Sequence, residues 1–188
     1  MSDGPSIIVL NDVVHHAAIL EVARRWGWKP VGDVRRGHFV LASERFTASD
    51  GTSIEYLEDH TANVRFMQLV GPGQRDIVRR LRQELPYYDE QVLLREVPQA
   101  TEPVDWIRGL SRLAAYRPRE FSTPYLALWS RALNHRDRAV RRAAIRTCYG
   151  CPWPELVPLV AGRIAVEREL RKPLKTLAQH LERQHAGG

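Results

Sequence analysis

Residues 133–144 read LNHRDRAVRRAA, and the pattern Val140-Arg141-x-Ala143 inside this stretch recurs along the C-terminal half of the chain. It stands earlier as Ile107-Arg108-x-Leu110 and later as Leu174-Lys175-x-Leu177, at nearly equal intervals. Self-similarity at a fixed period of this size is typical of stacked helical repeats, whose curved surfaces bind other macromolecules. The stretch therefore predicts a short all-α solenoid of about three helix pairs in residues 99–188.

Apolar residues in this half recur at the spacing of amphipathic helices. Two more helices are predicted near residues 122–134 and 153–166, and the second is apolar on nearly every side, which predicts that neighbours enclose it. The three apolar stripes consist of Trp106, Ile107, Leu110, Leu113 and Ala114; of Val140, Ala143, Ala144, Thr147 and Cys148; and of Leu170, Leu174, Leu177, Ala178 and Leu181.

Residues 126–147 and the proline just before them resemble one unit of the HEAT-repeat family. Pro124 stands where that family has a proline in its first helix, and Asp137 stands where it has an aspartate in the turn. Val140-Arg141 matches the Val-Arg pair that opens the second helix. The likeness extends over roughly residues 101–185. It implies a solenoid in which the second helix of each pair lines the concave, partner-binding surface, and it implies no catalytic activity.

The first half of the chain predicts a different architecture. Ile7–Leu10 has the composition of a short strand, and Asn11 or Asp12 would cap the helix that follows it. A three-stranded antiparallel meander is expected next, with Asp50-Gly51 as the hairpin turn between its first two strands. Its strands are predicted at Phe39–Ser43, Ser53–Asp59 and Val64–Val70.

A second amphipathic helix is predicted after the turn Gly71-Pro72-Gly73, with Ile77 and Leu81 on its apolar side. Gln91–Val97 is then expected to return to the sheet as a last strand. The predicted order is β-α-β-β-β-α-β, a two-layer arrangement. The expected fold class is therefore α+β, with a small α/β sandwich in residues 1–98 and a HEAT-like solenoid in residues 99–188.

Positive charge is concentrated in the second half. Residues 1–100 carry 12 Lys+Arg and 14 Asp+Glu, a net of −2, whereas residues 101–188 carry 16 and 8, a net of +8; together these give the chain its net +6. A concentrated basic field attracts acidic surfaces and raises the rate at which they are met. The charge therefore predicts a partner that is either an acidic protein or a nucleic acid.

The side of the solenoid helices opposite the apolar stripes is predicted to carry the binding site, and we call it the basic face. We expect it to bind an acidic protein, as an adaptor or inhibitor of which an immunity or antitoxin-like protein is one form; nucleic acid is the alternative. The basic face consists of Arg108, Arg112, Tyr116, Arg138, Arg141, Arg142, Arg146, Tyr149, Lys172, Lys175 and Arg183.

Cys148 and Cys151 form a C-x-x-C pair. Cys148 closes a predicted helix instead of opening one, so the pair lacks the helix N-terminus that activates a redox cysteine. With His180 and His185 it would supply four ligands of the kind that zinc takes. The simpler interpretation, which we prefer, is two small thiols buried at a turn, with no metal or other cofactor.

Other chemistry-bearing residues are interpreted as structural. Alkylpurine DNA glycosylases have HEAT-like folds with aromatic walls and a pocket acid, for which Asp105, Trp106 and Trp129 are the available analogues; both tryptophans lie on predicted buried stripes. Glu55–His60 runs along one strand and its turn, so its side chains alternate between two faces. We therefore expect a protein that is not an enzyme.

The composition also gives an expectation for the compartment. No stretch approaches the roughly 18 apolar residues of a membrane span, and the first residues lack the basic-then-apolar pattern of a secretory signal. Two cysteines in a chain that can bury a core fit a reducing environment. The expected location is the cytoplasm, in a bacterium.

Overall fold

The structure is a computed structural model that describes residues 4–32, 41–60, 62–116, 120–151 and 153–186. The chain divides into two compact units, Met1–Asp89 and Glu90–Gly188. Strands occur in the first unit and helices in both, so the expected mixed α+β class is confirmed. The first unit ends at Asp89, before the boundary at residue 98 that the sequence predicted.

A six-stranded antiparallel sheet forms one layer of unit 1, in the order β2-β3-β4-β5-β1-β6. The helices α1 (His16–Arg25) and α2 (Gln74–Glu84) cover one face, and the core lies between them and the sheet. Ile19 of α1, Leu81 of α2 and Met67 of the sheet are fully buried there. The strands are β1 (Ser6–Leu10), β2 (Lys29–Pro30), β3 (Leu41–Thr47), β4 (Ser53–Asp59), β5 (Val64–Val70) and β6 (Tyr87–Tyr88).

The predicted meander is confirmed as β3, β4 and β5. Gly51 has a φ of +84°, in the left-handed region that favours glycine, at the predicted hairpin turn. The Asp50 carboxylate closes this turn by accepting a hydrogen bond from the backbone N–H of Thr52, with 2.8 Å between nitrogen and oxygen. The first strand runs from Leu41 to Thr47 instead of ending at Ser43, and Phe39 lies outside the described residues.

Two predictions for the first half of the sequence were wrong. Helix α1 is capped at His15, because the Asn11 side chain instead accepts the N–H of Val13 at 3.2 Å and closes a local turn. Gln91–Val97 is not a strand: α3 (Glu90–Glu96) occupies it, followed by a 3-10 turn at Val97–Gln99. Leu93 and Val97 are buried at helical spacing, and the returning strand is Tyr87–Tyr88.

Unit 2 is helical throughout its described residues. Helix α4 contacts α6, which contacts α8, and these three form one row; α3, α5 and α7 are linked in the same way in a second row. The pairs α3–α4, α5–α6 and α7–α8 join the two rows. The helices after α3 are α4 (Pro103–Ala115), α5 (Thr123–Leu133), α6 (Arg138–Cys148), α7 (Leu156–Val166) and α8 (Arg171–Ala186).

Burial repeats at one constant interval along the three helices of the first row. The buried residues Trp106, Val140 and Leu174 are equally separated along the chain, and we call this separation the repeat spacing. The same spacing relates the buried residues Leu113, Thr147 and Leu181. Sequence similarity had matched Ile107 with Val140, but Ile107 is only half-buried. The larger Trp106 takes the interior position, where its ring N–H donates to the carbonyl of Ala100 at 2.9 Å.

Helix α7 corrects another expectation. Only Leu156 and Val160 of this apolar helix are buried, and Val166 is 67% exposed. Helix α7 contacts α5 and α8. Part of its apolar surface therefore faces solvent, and the helix is not enclosed by neighbours as its composition predicted.

Candidate binding face

Helix α6 carries the centre of the basic face. The Asp137 carboxylate caps its first turn by accepting the N–H groups of Ala139 and Val140, at 2.7 and 3.3 Å. Val140, Ala144 and Thr147 are buried on one side of the helix. The opposite side is exposed and presents Arg138, Arg142, Arg146 and Tyr149, spaced so that they share one helical face.

Helix α4 extends the positive charge beside α6. Arg108 is exposed and Arg112 half-buried, one helical turn apart. The Arg146 guanidinium of α6 reaches across and donates to the Ser111 hydroxyl at 3.2 Å. That contact joins the two helices at the level of the arginines, so Arg108, Arg112, Arg142 and Arg146 belong to one surface region, which we call the four-arginine cluster.

Helix α8 continues the face on the other side of α6. The Tyr149 ring and the His180 ring lie 5.0 Å apart between centroids. At the repeat spacing, Lys172 is the counterpart of Arg138, and both are exposed. Lys175 is also exposed, but at the repeat spacing it is the counterpart of Arg141 and not of Arg138, Arg142 or Arg146. Arg183 is exposed and donates to the carbonyl of Gln179 at 3.1 Å.

Arg141 has a structural role and is not part of the open surface. Its guanidinium pairs with the Glu167 carboxylate at 2.8 Å, and it donates to the carbonyls of His135 and Arg136 at 2.9 Å each. The side chains of Arg141 and Glu167 are only 13% and 6% exposed. The nearby Asp137 carboxylate caps its own helix.

The Glu167 carboxylate is held ionised by two arginines. Burial alone would raise its pKa, but hydrogen bonds and ion pairs with Arg163 and Arg141 outweigh burial and bring the pKa below the usual range. The carboxylate thereby ties α6 to the end of α7. In contrast, Arg138 pairs with Glu169 at 3.1 Å with both side chains more than half exposed, a contact that water screens.

Several members of the basic face have no counter-charge of their own. Within the described ranges, Arg108, Arg142, Lys172 and Lys175 make no ion pair with any carboxylate. Their charges are therefore not neutralised locally, and the field of the face extends into solvent. Tyr116, the last predicted member, is half-buried at the end of α4.

Sequence reasoning missed Ser111 and His180, which contact the arginine and tyrosine at the centre of the face. Ser111 is 5% exposed, and its hydroxyl also donates to the Ile107 carbonyl at 2.9 Å. The repeat spacing matches His180 with Arg112 and Arg146. Matching Ile107-Arg108 with Val140-Arg141 shifts Arg112 by one residue, so the sequence did not align Arg112 with Arg146.

The proposed zinc ligands do not come together. Cys148, Cys151 and His180 form no group that could hold a metal ion, and the same holds for all His, Cys, Asp and Glu side chains that the structure describes. The His185 side chain lies outside the described residues. Burial raises the pKa of Cys151 to about 12 and that of Cys148 well above its usual value, so both are neutral, buried thiols.

The two tryptophans that could stack a base belong to the interior. Trp106 is 3% exposed and Trp129 is fully buried, where its ring N–H donates to the Thr147 hydroxyl at 3.0 Å. Tyr125 stacks on Trp129 with 4.9 Å between ring centroids. Asp105 is exposed at the start of α4. These residues therefore build a core and do not line a base pocket.

The carboxylates of unit 1 are used in cross-strand contacts. Glu58 accepts hydrogen bonds from the Tyr56 hydroxyl and from Arg65, and Glu55 pairs with Arg45 at 3.1 Å. Burial works to raise the pKa of Glu58, but these donors lower it overall. The side chain of Glu58 is only 16% exposed, so this carboxylate is largely shielded from solvent.

The turn Gly71-Pro72-Gly73 offers no phosphate site. A side chain at Gly73 would collide with the Asp50 carboxylate, which lies over this turn at the start of α2. The Gly73 N–H donates to the Thr52 hydroxyl at 2.9 Å. A carboxylate thus already occupies the position that an anion would need.

No protein-family model matches this chain, and comparison with curated proteins and with solved structures found no match. The helices within the described residues also include none that is long and apolar enough to cross a bilayer. The functional argument therefore depends on the geometry of the chain itself.

Proposed function

We propose that unit 2 is a short HEAT-like solenoid of about three helix pairs that binds an acidic protein through the basic face. The contacts of the two helix rows and the repeat spacing of buried positions support the repeat architecture. In this proposal α4, α6 and α8 are the second helices of three successive pairs. The protein acts by binding, as an adaptor or inhibitor such as an immunity or antitoxin-like protein, and not by catalysis.

The observation that carries the proposal is the four-arginine cluster. Two of its members, Arg108 and Arg142, are exposed and make no ion pair among the described residues. Like charges on neighbouring helices repel one another, and negative charge approaching from outside would reduce that repulsion. An acidic surface would do so, and it would associate faster because the field attracts it.

A protein partner agrees better with the face than a nucleic acid does. Tyr149 and His180 lie beside the arginines, and tyrosine and arginine are enriched at the centres of protein interfaces. The tryptophans that could stack bases are in the core. Two buried thiols without a disulfide are compatible with the cytoplasmic location that we propose.

The test is purification of the tagged protein from its native host, with nuclease treatment and identification of what remains bound. The variant Arg108→Glu with Arg142→Glu should lose the partner, because it reverses charge at side chains that make no ion pair among the described residues. The control Arg168→Glu with Arg171→Glu makes the same charge change at exposed arginines in the turn before α8 and at its start, and it should retain the partner.

Three results are distinguishable. A stoichiometric protein lost only by the Arg108/Arg142 variant supports the proposal. Nucleic acid that is lost by the same variant, and whose affinity falls steeply with salt, would assign the face to the alternative function. A partner lost equally by both variants would show dependence on net charge and contradict a specific face.

A further inference from the structure

Strand β1 has an outer edge that the sheet covers only in part. Strand β6 pairs with Val9 and Leu10 alone, whereas β5 pairs with all of β1 from Ser6 onward. Within the described residues, the first part of β1 therefore has a strand neighbour on one side only. An uncovered edge of this kind is a template for another extended chain.

The hydrogen-bonding pattern shows which backbone groups point outward. The N–H of Asn11 donates to the carbonyl of Pro86 at 3.0 Å, on the β6 side of the strand. Because alternate residues of an antiparallel strand bond to the same side, the N–H and C=O of Ile7 also point toward the outer edge. Pro5 follows the same alternation, and a proline is tolerated there because its missing N–H would face outward.

A groove with a volume of about 690 Å³ runs between this edge and α2. Arg75, Arg79 and Arg82 line it on the helix side together with Val78, and no carboxylate lines it among the residues that the structure describes. Arg82 lies over the ring of Tyr87, with 5.2 Å to the ring centroid. Arg79 also pairs with Asp76 at 2.7 Å, an exposed contact that a competing carboxylate can replace.

We propose that this groove binds an acidic peptide in extended conformation, which adds to the sheet as a strand against β1. The peptide backbone would bond with Ile7, and alternate side chains would place carboxylates against the arginines of α2. A second copy of this chain does not fit, because its own edge would bring the same arginines into repulsion. The site lies within unit 1 and is independent of the basic face of unit 2.

The test uses the full chain and a fluorescent, capped (Glu-Val)4 peptide. Saturable binding is expected with a dissociation constant below about 1 mM. Arg79→Glu with Arg82→Glu should weaken it at least about tenfold, whereas Arg24→Glu on α1 and the Arg108→Glu, Arg142→Glu variant should leave it unchanged. Circular dichroism would verify that each variant is folded.

Addition of the peptide as a strand requires main-chain hydrogen bonds, whereas charge attraction alone does not. N-methylation of the peptide amides in two alternating sets should abolish binding for one set only, because one set faces the β1 edge and the other faces away. Ile7→Pro, which removes the outward N–H, should weaken binding by about fivefold or more. Absence of saturable binding up to about 1 mM, equal binding by both methylated sets, or loss with the unit 2 variant would each overturn the proposal.

Discussion

Several arginines of the two units differ in whether they pair with a carboxylate. In unit 1, Arg45 and Arg65 pair with Glu55 and Glu58 across neighbouring strands, and Arg25 pairs with Glu84 between the two helices. In unit 2, the exposed Arg108 and Arg142 make no ion pair with a carboxylate in the described part of the chain. These arginines of unit 1 therefore contribute to its own fold, whereas Arg108 and Arg142 of the basic face are available to a partner.

The largest effect on stability is expected at the buried ion pair of unit 2, between Arg141 and Glu167. Glu167→Ala would leave Arg141 and Arg163 without their shared carboxylate, and we expect it to lower the free energy of unfolding by about 3 kcal/mol. Glu169→Ala, whose partner Arg138 is exposed, should lower it by less than about 1 kcal/mol. Urea unfolding of both variants measures the difference, and equal losses would mean that Arg141 is not the structural member of the face.

A pair of arginine truncations compares the units directly. Arg65→Ala removes a donor to Glu58 and to the carbonyl of Asp12, so unit 1 should lose about 2 kcal/mol. Arg142→Ala removes no side-chain hydrogen bond or ion pair made within the described ranges and should change stability by less than about 0.5 kcal/mol. Thermal or urea unfolding tests both. A large loss from Arg142→Ala would show that the basic face has structural contacts of its own.

The pH dependence of stability should show a smaller effect at Glu167. Because its folded-state pKa is depressed, its stabilisation is complete above the unfolded pKa of about 4.3 and is lost as pH falls through the lower, folded value. The stability difference between the wild type and Glu167→Gln should therefore shrink as pH is lowered from about 6 to about 3. A difference that stays constant over this range would contradict an ionised, paired Glu167.

Sequence periodicity predicted the meander of the first half and the helices of the second. It failed for very short elements and at positions where sequence similarity points to a different residue than burial does. The meander was predictable because Asp50-Gly51 marks its turn and the strands alternate. Strand β6 has only two residues, too few to show a period, and the sequence therefore predicts the returning strand in the helical run that follows. The match of Ile107 with Val140 was also misleading, since only packing shows that Trp106 fills the interior position.

The candidate sites differ in how far the sequence could predict them. The arginines of α6 recur with helical spacing, which was enough to place Arg138, Arg142 and Arg146 on one side of the helix, and all three are exposed. The internal role of Arg141 depends on Glu167, a residue that approaches it only through the packing of α7. The groove beside β1 exists because β6 ends at Tyr88, and no sequence pattern near Tyr88 predicts this end.

The most direct test of the account is the affinity of the protein for its copurified partner, measured for the wild type, for Arg108→Glu with Arg142→Glu, and for Arg168→Glu with Arg171→Glu. The account predicts that the first variant weakens binding at least about tenfold, mainly through slower association, while its stability is unchanged. It also predicts that the second variant binds almost as well as the wild type. Equal affinity of the wild type and the Arg108/Arg142 variant would contradict the central claim that the basic face binds the partner.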